Sequence, residues 1–238
     1  MLRRIGRGLE RRARVRITVA ARALGLRPHV SSEARTYWEE RGPRYLGEVS
    51  GILDPGDPYF AAQQDFLALL KDEAWGSILE VGCGFGWHLR AVAHTFPGRQ
   101  AVGIDFSRAQ LAQGAAFLSA TNARLIQADA GSLPFSDATF DVVFTSGVLM
   151  CVHADQLPPL LGELRRVARQ CVIAMEPAEE HMCTPAQRAI ARRAGWHCHS
   201  YSRAFAAAGL ALDAGFVFRS FESSHDRTSL SCFRGRKG

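Results

Sequence analysis

From Ser77 to Arg234, short β-branched and apolar runs alternate with helical patterns, and no other feature restricts the fold so tightly. Two strands separated by a helix are most simply parallel neighbours, because a parallel pair needs a crossover long enough to hold that helix. Repetition of the unit builds a central sheet covered by helices. The pattern predicts strands over residues 78–81, 101–105, 124–128, 140–145, 171–176, 210–218 and 229–234, and helices over 87–96, 107–119, 155–169 and 200–208. The expected class is α/β, with a seven-stranded, mostly parallel sheet and helices on both faces.

The chain ahead of this array differs in kind. Leu2, Ile5, Leu9, Ala13, Ile17, Ala20 and Leu24 recur at spacings of three and four with arginines between them, which describes a basic amphipathic helix. A second helical stretch, 33–45, carries Tyr37 and Trp38. After the break at Asp54-Pro55-Gly56-Asp57-Pro58 a third begins, with Asp57 placed to cap it and Pro58 to fill its first position. The chain divides there, into a basic helix and lid-like helical extension (residues 1–57) and the sheet domain (58–238). With 238 residues, 47% of them apolar, a core of ordinary size is expected.

The net charge of +6 is unevenly spread. Residues 1–27 hold nine arginines against the single acid Glu10, so the remaining residues carry a net −2. A body of that sign offers no general attraction to a phosphate backbone, which argues against a nucleic-acid partner. Residues 2–24 fit a solvated lid or extension, a helix packed over the crevice of the sheet domain, peripheral contact with an anionic membrane surface or, third because the helix has no serine, a mitochondrial transit peptide. No apolar run approaches the roughly 20 residues needed to span a bilayer, and the expected location is cytoplasmic. The six cysteines are scattered with no C-x-x-C pair, so no disulfide framework is expected.

The chemistry gathers at the end of the first strand. Ile78-Leu79-Glu80-Val81 turns through Gly82-Cys83-Gly84-Phe85-Gly86 into a helix, and glycines there allow backbone amides and a helix N-terminus to approach a ligand. The second strand ends at Asp105, 19 residues after Gly86, where a carboxylate can accept both hydroxyls of a ribose. The dinucleotide fingerprint G-x-G-x-x-G fails, because the glycines are spaced G-x-G-x-G.

This glycine motif, Val102-Gly103-Ile104-Asp105-Phe106-Ser107, Ala128-Asp129-Ala130 with Leu133-Pro134-Phe135, and Phe140-Asp141-Val142-Val143 follow one another at spacings that resemble class I, Rossmann-like S-adenosylmethionine-dependent methyltransferases of the small-molecule type. The similarity covers about residues 77–176. It implies a Rossmann-like methyltransferase sheet, S-adenosyl-L-methionine as cofactor, and in-line methyl transfer to a small-molecule or lipid-like acceptor. It also implies cofactor contacts from Glu80, Gly82, Cys83, Gly84 and Gly86, and ribose contacts from Asp105. Phe106 then lies against the adenine, Asp129 accepts from its amino group, the backbone of Ala130 addresses a ring nitrogen, and the segment starting at Ser146 closes over the methionine part.

Taken alone, the glycines also fit a structural turn, and Asp105 a strand-end cap. A Rossmann-like module that binds NAD or S-adenosylmethionine without transfer is the rival function. Methylation of an extruded nucleobase is disfavoured, since Thr145-Ser146-Gly147-Val148 stands where an Asn/Asp-Pro-Pro-aromatic motif is expected. For removing a proton from an acceptor, histidine is best suited near neutrality, and His153, His181 and His199 are the candidates. His181-Met182-Cys183 and His197-Cys198-His199 match no zinc spacing, so no metal is expected. Asp141, which opens a strand ahead of an apolar run, reads as structural.

Overall fold

The computed structural model describes residues 32–176, 178, 196–213, 221–222 and 229–237; the arginine-rich segment 2–24 and His181 lie outside them. Helix α1 (Ser32–Glu48) and α2 (Pro58–Lys71) precede the sheet. Then come β1 (Ser77–Val81), α3 (Trp87–Thr95), β2 (Gln100–Asp105), α4 (Arg108–Phe117), β3 (Arg124–Gln127), β4 (Phe140–Ser146), α5 (Leu157–Val167) and β5 (Ala168–Glu176). The remainder comprises α6 (Tyr201–Ala207), β6 (Leu210–Leu212), β7 (Phe221–Glu222) and β8 (Ser229–Lys237). Strands run in the order β3-β2-β1-β4-β5-β8-β6, with β7 pairing off β8. The first five are parallel, and β8 lies antiparallel to both β5 and β6.

This is the expected α/β architecture, a mixed seven-stranded path with helices on both faces and one short added strand. Two boundaries differ from expectation. The strand expected over 210–218 is described only as Leu210–Leu212, since 214–220 lie outside the described residues, and the last strand continues to Lys237. The stretch expected over 33–45 runs to Glu48 with Pro43 inside it. There the Gln113 side chain of α4 accepts from the Leu46 amide at 3.3 Å and donates to the Gly42 carbonyl, bracketing the turn that holds the proline. Gly42 makes the approach possible: a Cβ there would stand 2.9 Å from that of Ala109 on α4.

Side-chain alternation along the strands makes two cores. Leu79, Val81, Val102, Ile104, Val143 and Val172 face α5 and α6, while Ile78, Ala101, Val142, Phe144 and Ile173 face α2 and α3. Helix α5 shows why it docks: Leu157, Leu160, Leu161, Leu164 and Val167 recur at helical spacing and are all buried, each side chain contributing roughly 1.5–3 kcal/mol. Helix α2 starts where the sequence places it, with the Asp57 carboxylate accepting from the Tyr59 amide at 2.8 Å. Among the described residues no helix is long and apolar enough to cross a membrane.

The topology fixes where a ligand can sit. From β1 the chain moves outward through β2 and β3, then returns to place β4 on the other side of β1. The C-terminal ends of β1 and β4 therefore flank a crevice from which the connections depart in opposite directions. At the opposite end of these strands, Asp141 accepts from the Gly76 and Ser77 amides at 2.8 and 3.0 Å and pairs with Arg169, which joins β4 to the start of β1. Its role is structural, as expected.

Candidate functional site

The turn after β1 is held by backbone bonds. The amides of Gly82 and Cys83 both donate to the Ile104 carbonyl, at 2.8 and 2.9 Å, so the loop is anchored to the end of β2. Gly82, Gly84 and Gly86 have φ of 74°, 55° and 85°, a region that side chains with a Cβ resist. Gly82 is also sterically required, because a Cβ would lie 2.4 Å from a methyl of Val148. Cys83 points inward: its thiol is buried over Gly103, and burial pushes it well above the ordinary thiol range. Its contribution to a ligand is therefore its backbone.

Two carboxylates border this turn. Asp105 accepts from the Ser107 amide at 2.7 Å and from the Gly84 amide at 2.9 Å, tying the end of β2 to the start of α4 and to the glycine turn. Asp129, just past β3, accepts from the Gly131 amide at 2.9 Å through Oδ1 and pairs with Arg35 of α1 through Oδ2. The Ala128 amide donates to the Asp105 carbonyl at 3.1 Å, which brings the two acids to neighbouring strand ends. Phe106 and Ala130, next to them in sequence, are half-buried at the same edge.

Beneath the loop lies Glu80, buried in β1, and no donor among the described residues reaches its Oε2. Burial, reinforced by the charge of Asp105, holds this carboxyl well above its usual range. Asp105 is raised too, chiefly by burial, against the pull of the Ser107 and Gly84 amides. A dry setting in which acids crowd one another favours a cationic ligand.

Ser146 ends β4, and its hydroxyl lies 3.1 Å from Nε2 of His88. His88 is buried beside Phe66 and Phe144, and burial pushes its pKa down to about 3, so the ring is neutral. The following loop depends on Glu176, the last residue of β5, which the sequence reading did not single out. Its carboxylate accepts from the amides of Val148 at 3.0 Å and Met150 at 3.3 Å. Only the pairing of β4 with β5 reveals this, although an acid ending a buried apolar strand is a recognisable hint.

Further along, the described histidines lie side by side, His153 against His197 and His197 against His199, but with different partners. His199 is buried with Nε2 between the carbonyls of Leu149 and Val152, at 3.2 and 2.9 Å, where it laces two segments together. His153 instead lies against His197, ring centroids 4.5 Å apart, and the His197 amide donates to the Met150 carbonyl at 2.7 Å. Burial, then the neighbouring His153 and His199, hold His197 below its ordinary value. Among the described residues no group of three or more His, Cys, Asp or Glu side chains is arranged to hold a metal ion.

Helix α1 roofs the crevice. Beyond Arg35, its Trp38 is hydrogen-bonded to Cys151 in the loop after β4, and Tyr45 meets Phe85 of the glycine turn with ring centroids 5.9 Å apart.

This sheet order, with a glycine turn after β1 and acids at the ends of β2 and β3, defines the class I, Rossmann-like methyltransferase domain. Residues 78–171 match the family described as "Methyltransferase domain", and this segment is a domain of that family. A demethylmenaquinone methyltransferase of Roseiflexus castenholzii is 32% identical over 103 residues, covering 43% of this chain and 42% of the relative. A malonyl-[acyl-carrier protein] O-methyltransferase of Legionella pneumophila is 35% identical over 92 residues, 38% of this chain and 31% of the relative. The matches thus span less than half the length of these curated relatives. Among solved structures, a magnesium protoporphyrin IX methyltransferase from Synechocystis with bound S-adenosylhomocysteine superposes with a TM-score of 0.65 at 15% identity, covering 87% of this chain and 99% of that one.

Proposed function

We propose that the chain transfers a methyl group from S-adenosyl-L-methionine to a small-molecule or lipid-like acceptor. The observation that carries this reading is the grouping of buried Glu80 and Asp105 and half-buried Asp129 around three glycines of positive φ. The residues present suit the cofactor. Glu80 has a buried oxygen that no donor among the described residues reaches, and the acidic rim complements a ligand bearing an ammonium and a sulfonium. When bound, S-adenosyl-L-methionine supplies an electrophilic methyl carbon.

The chain's own residues then have separate tasks. Asp105 takes the ribose hydroxyls, Asp129 and Phe106 hold the base, and the glycine turn accommodates the methionine part. Ser146 and the loop fixed by Glu176 wall the reacting end. Correct alignment of acceptor and methyl is the main contribution a protein makes to such a displacement. Where the acceptor must lose a proton, we assign that task to the His153–His197 pair. His197, held below its ordinary value by burial and the neighbouring histidines, is the member of the pair biased toward the neutral ring that can take a proton. Relatives named for methylating a quinone precursor and a carrier-bound malonyl group support a small or lipid-like acceptor.

Thermal unfolding with S-adenosylhomocysteine and with NAD tests the cofactor. S-adenosylhomocysteine at about a hundred times its Kd should stabilise the fold by about 2.7 kcal/mol, and NAD should leave it unchanged. Stabilisation by NAD alone would overturn the reading. If S-adenosylhomocysteine binds, a metabolite library with radiolabelled methyl donor then distinguishes transfer from binding alone.

A further inference from the structure

Arg35 lies in the first turn of α1 and reaches the nucleobase end of the crevice. Its guanidinium pairs with Oδ2 of Asp129, and its Cζ lies 4.9 Å from the centre of the Phe106 ring. The two partners come from different strand ends, Phe106 after β2 and Asp129 after β3. A guanidinium is a flat, delocalised group with N–H donors in its plane. It therefore offers an aromatic face and a carboxylate the same two features as an adenine with its amino group.

Asp129 puts the two in competition. Oδ1 already accepts from the Gly131 amide, so Oδ2 is the oxygen that both Arg35 and an adenine amino group would use. The face of Phe106 is likewise a single surface. Arg35 is brought there by a helix anchored along its length, through Gln113 on Gly42 and Leu46 and through Trp38 on Cys151.

We propose that Arg35 is an internal ligand of the nucleobase half of the site, holding the two groups an adenine takes, so that cofactor binding is an exchange that releases the guanidinium. This rests on the reading of Asp129 and Phe106 as adenine contacts. The exchange is reversible because the pair is only partly shielded, with the side chains of Arg35 and Asp129 33% and 35% exposed. Water competes for such a pair and keeps it weak. Helix α1 thereby becomes a roof whose seating on the nucleobase end is in competition with the ligand.

Isothermal titration of the full chain with S-adenosylhomocysteine tests this, using wild type, Arg35→Ala and Arg35→Lys. Removing a competing ion pair and cation–π contact should tighten binding by about 3- to 30-fold in Arg35→Ala. Arg35→Lys should lie between, since an ammonium can pair with Asp129 but lacks the plane that covers Phe106. Wild-type affinity should also rise with salt, which screens the internal pair, while that of Arg35→Ala stays level. Equal or weaker binding by Arg35→Ala overturns the proposal, the weaker result meaning that Arg35 clamps the bound base. If neither wild type nor variants bind S-adenosylhomocysteine, the cofactor reading fails and this inference with it. A loss confined to Arg35→Ala leaves that reading intact.

Discussion

Asp105 serves two purposes with one carboxylate. The sequence motif points to ribose hydroxyls, and the structure adds that both oxygens already accept backbone amides, from Ser107 and Gly84. The residue therefore shapes the glycine turn, and under the proposed function it would also take the ribose. Hydrogen bonds to a charged group are worth roughly 1.5–3 kcal/mol each, so losing the ribose contacts should weaken S-adenosylhomocysteine binding by at least about tenfold. Asp105→Ala should also lower the unfolding midpoint, because the Gly84 and Ser107 amides lose their acceptor. Titration and thermal unfolding of the same variant separate the two effects, and an unchanged Kd would remove Asp105 from the site. His199 illustrates the converse. Its residue type suggested proton transfer, yet its ring nitrogen is committed to two carbonyls, a placement set by a segment that folds back from beyond residue 195.

At the scale of elements, the loop between β4 and α5 is shaped by the strand beside it. Glu176 is fully buried, and burial pushes its pKa up to about 7, opposed by the amides of Val148, Leu149 and Met150. Its folded value thus exceeds the ordinary 4.5. The native state binds the extra proton between these values, so the contribution to stability is fully present below about 4.5 and lost as pH rises through about 7. Such a displacement corresponds to a few kcal/mol, on the order of 3. The difference in unfolding free energy between wild type and Glu176→Gln should therefore fall, to the disadvantage of wild type, as pH rises through this window. Chemical denaturation across the range checks it, and a difference independent of pH would show that the carboxyl titrates normally. The helical pattern of α1 was legible, but its anchoring by Gln113 was not, because residues 42, 46 and 113 meet only when α4 is packed beneath it.

Across the whole molecule, an ionic cluster ties the C-terminal strands to the chain that enters β1. Arg234 on β8 pairs with Glu73, which precedes β1, and with Asp213, which follows β6; Arg236 bridges the same two acids. The Glu73 and Arg234 side chains are only 9% and 10% exposed. Breaking a pair this buried leaves a charge poorly compensated, though Asp213 stays in place, so Glu73→Ala should cost about 2–3 kcal/mol. For a chain of this length that lowers the unfolding midpoint by roughly 4–12 °C. Affinity for S-adenosylhomocysteine should not change, since the cluster joins β8 to the start of β1 and the glycine turn lies at its other end. A parallel loss of affinity would mean that the cluster and the glycine turn are coupled.

What the sequence by itself determined was local and periodic. Alternating strand and helix patterns specify the sheet and its helices, since apolar periodicity decides which faces must be buried. Glycine spacing specifies the turn after β1, because only backbone freedom permits three left-handed residues there. Asp105 was singled out as the last residue of the second strand, and Asp129 through the motif whose resemblance implies its role. Tertiary structure alone decided which distant groups share one place: Arg35 with Asp129, His153 with His197, Glu176 with the amides after β4. Such pairings bring together residues 94, 44 and 28 positions apart. They follow from how helices and strands pack, and no periodicity along the chain encodes them.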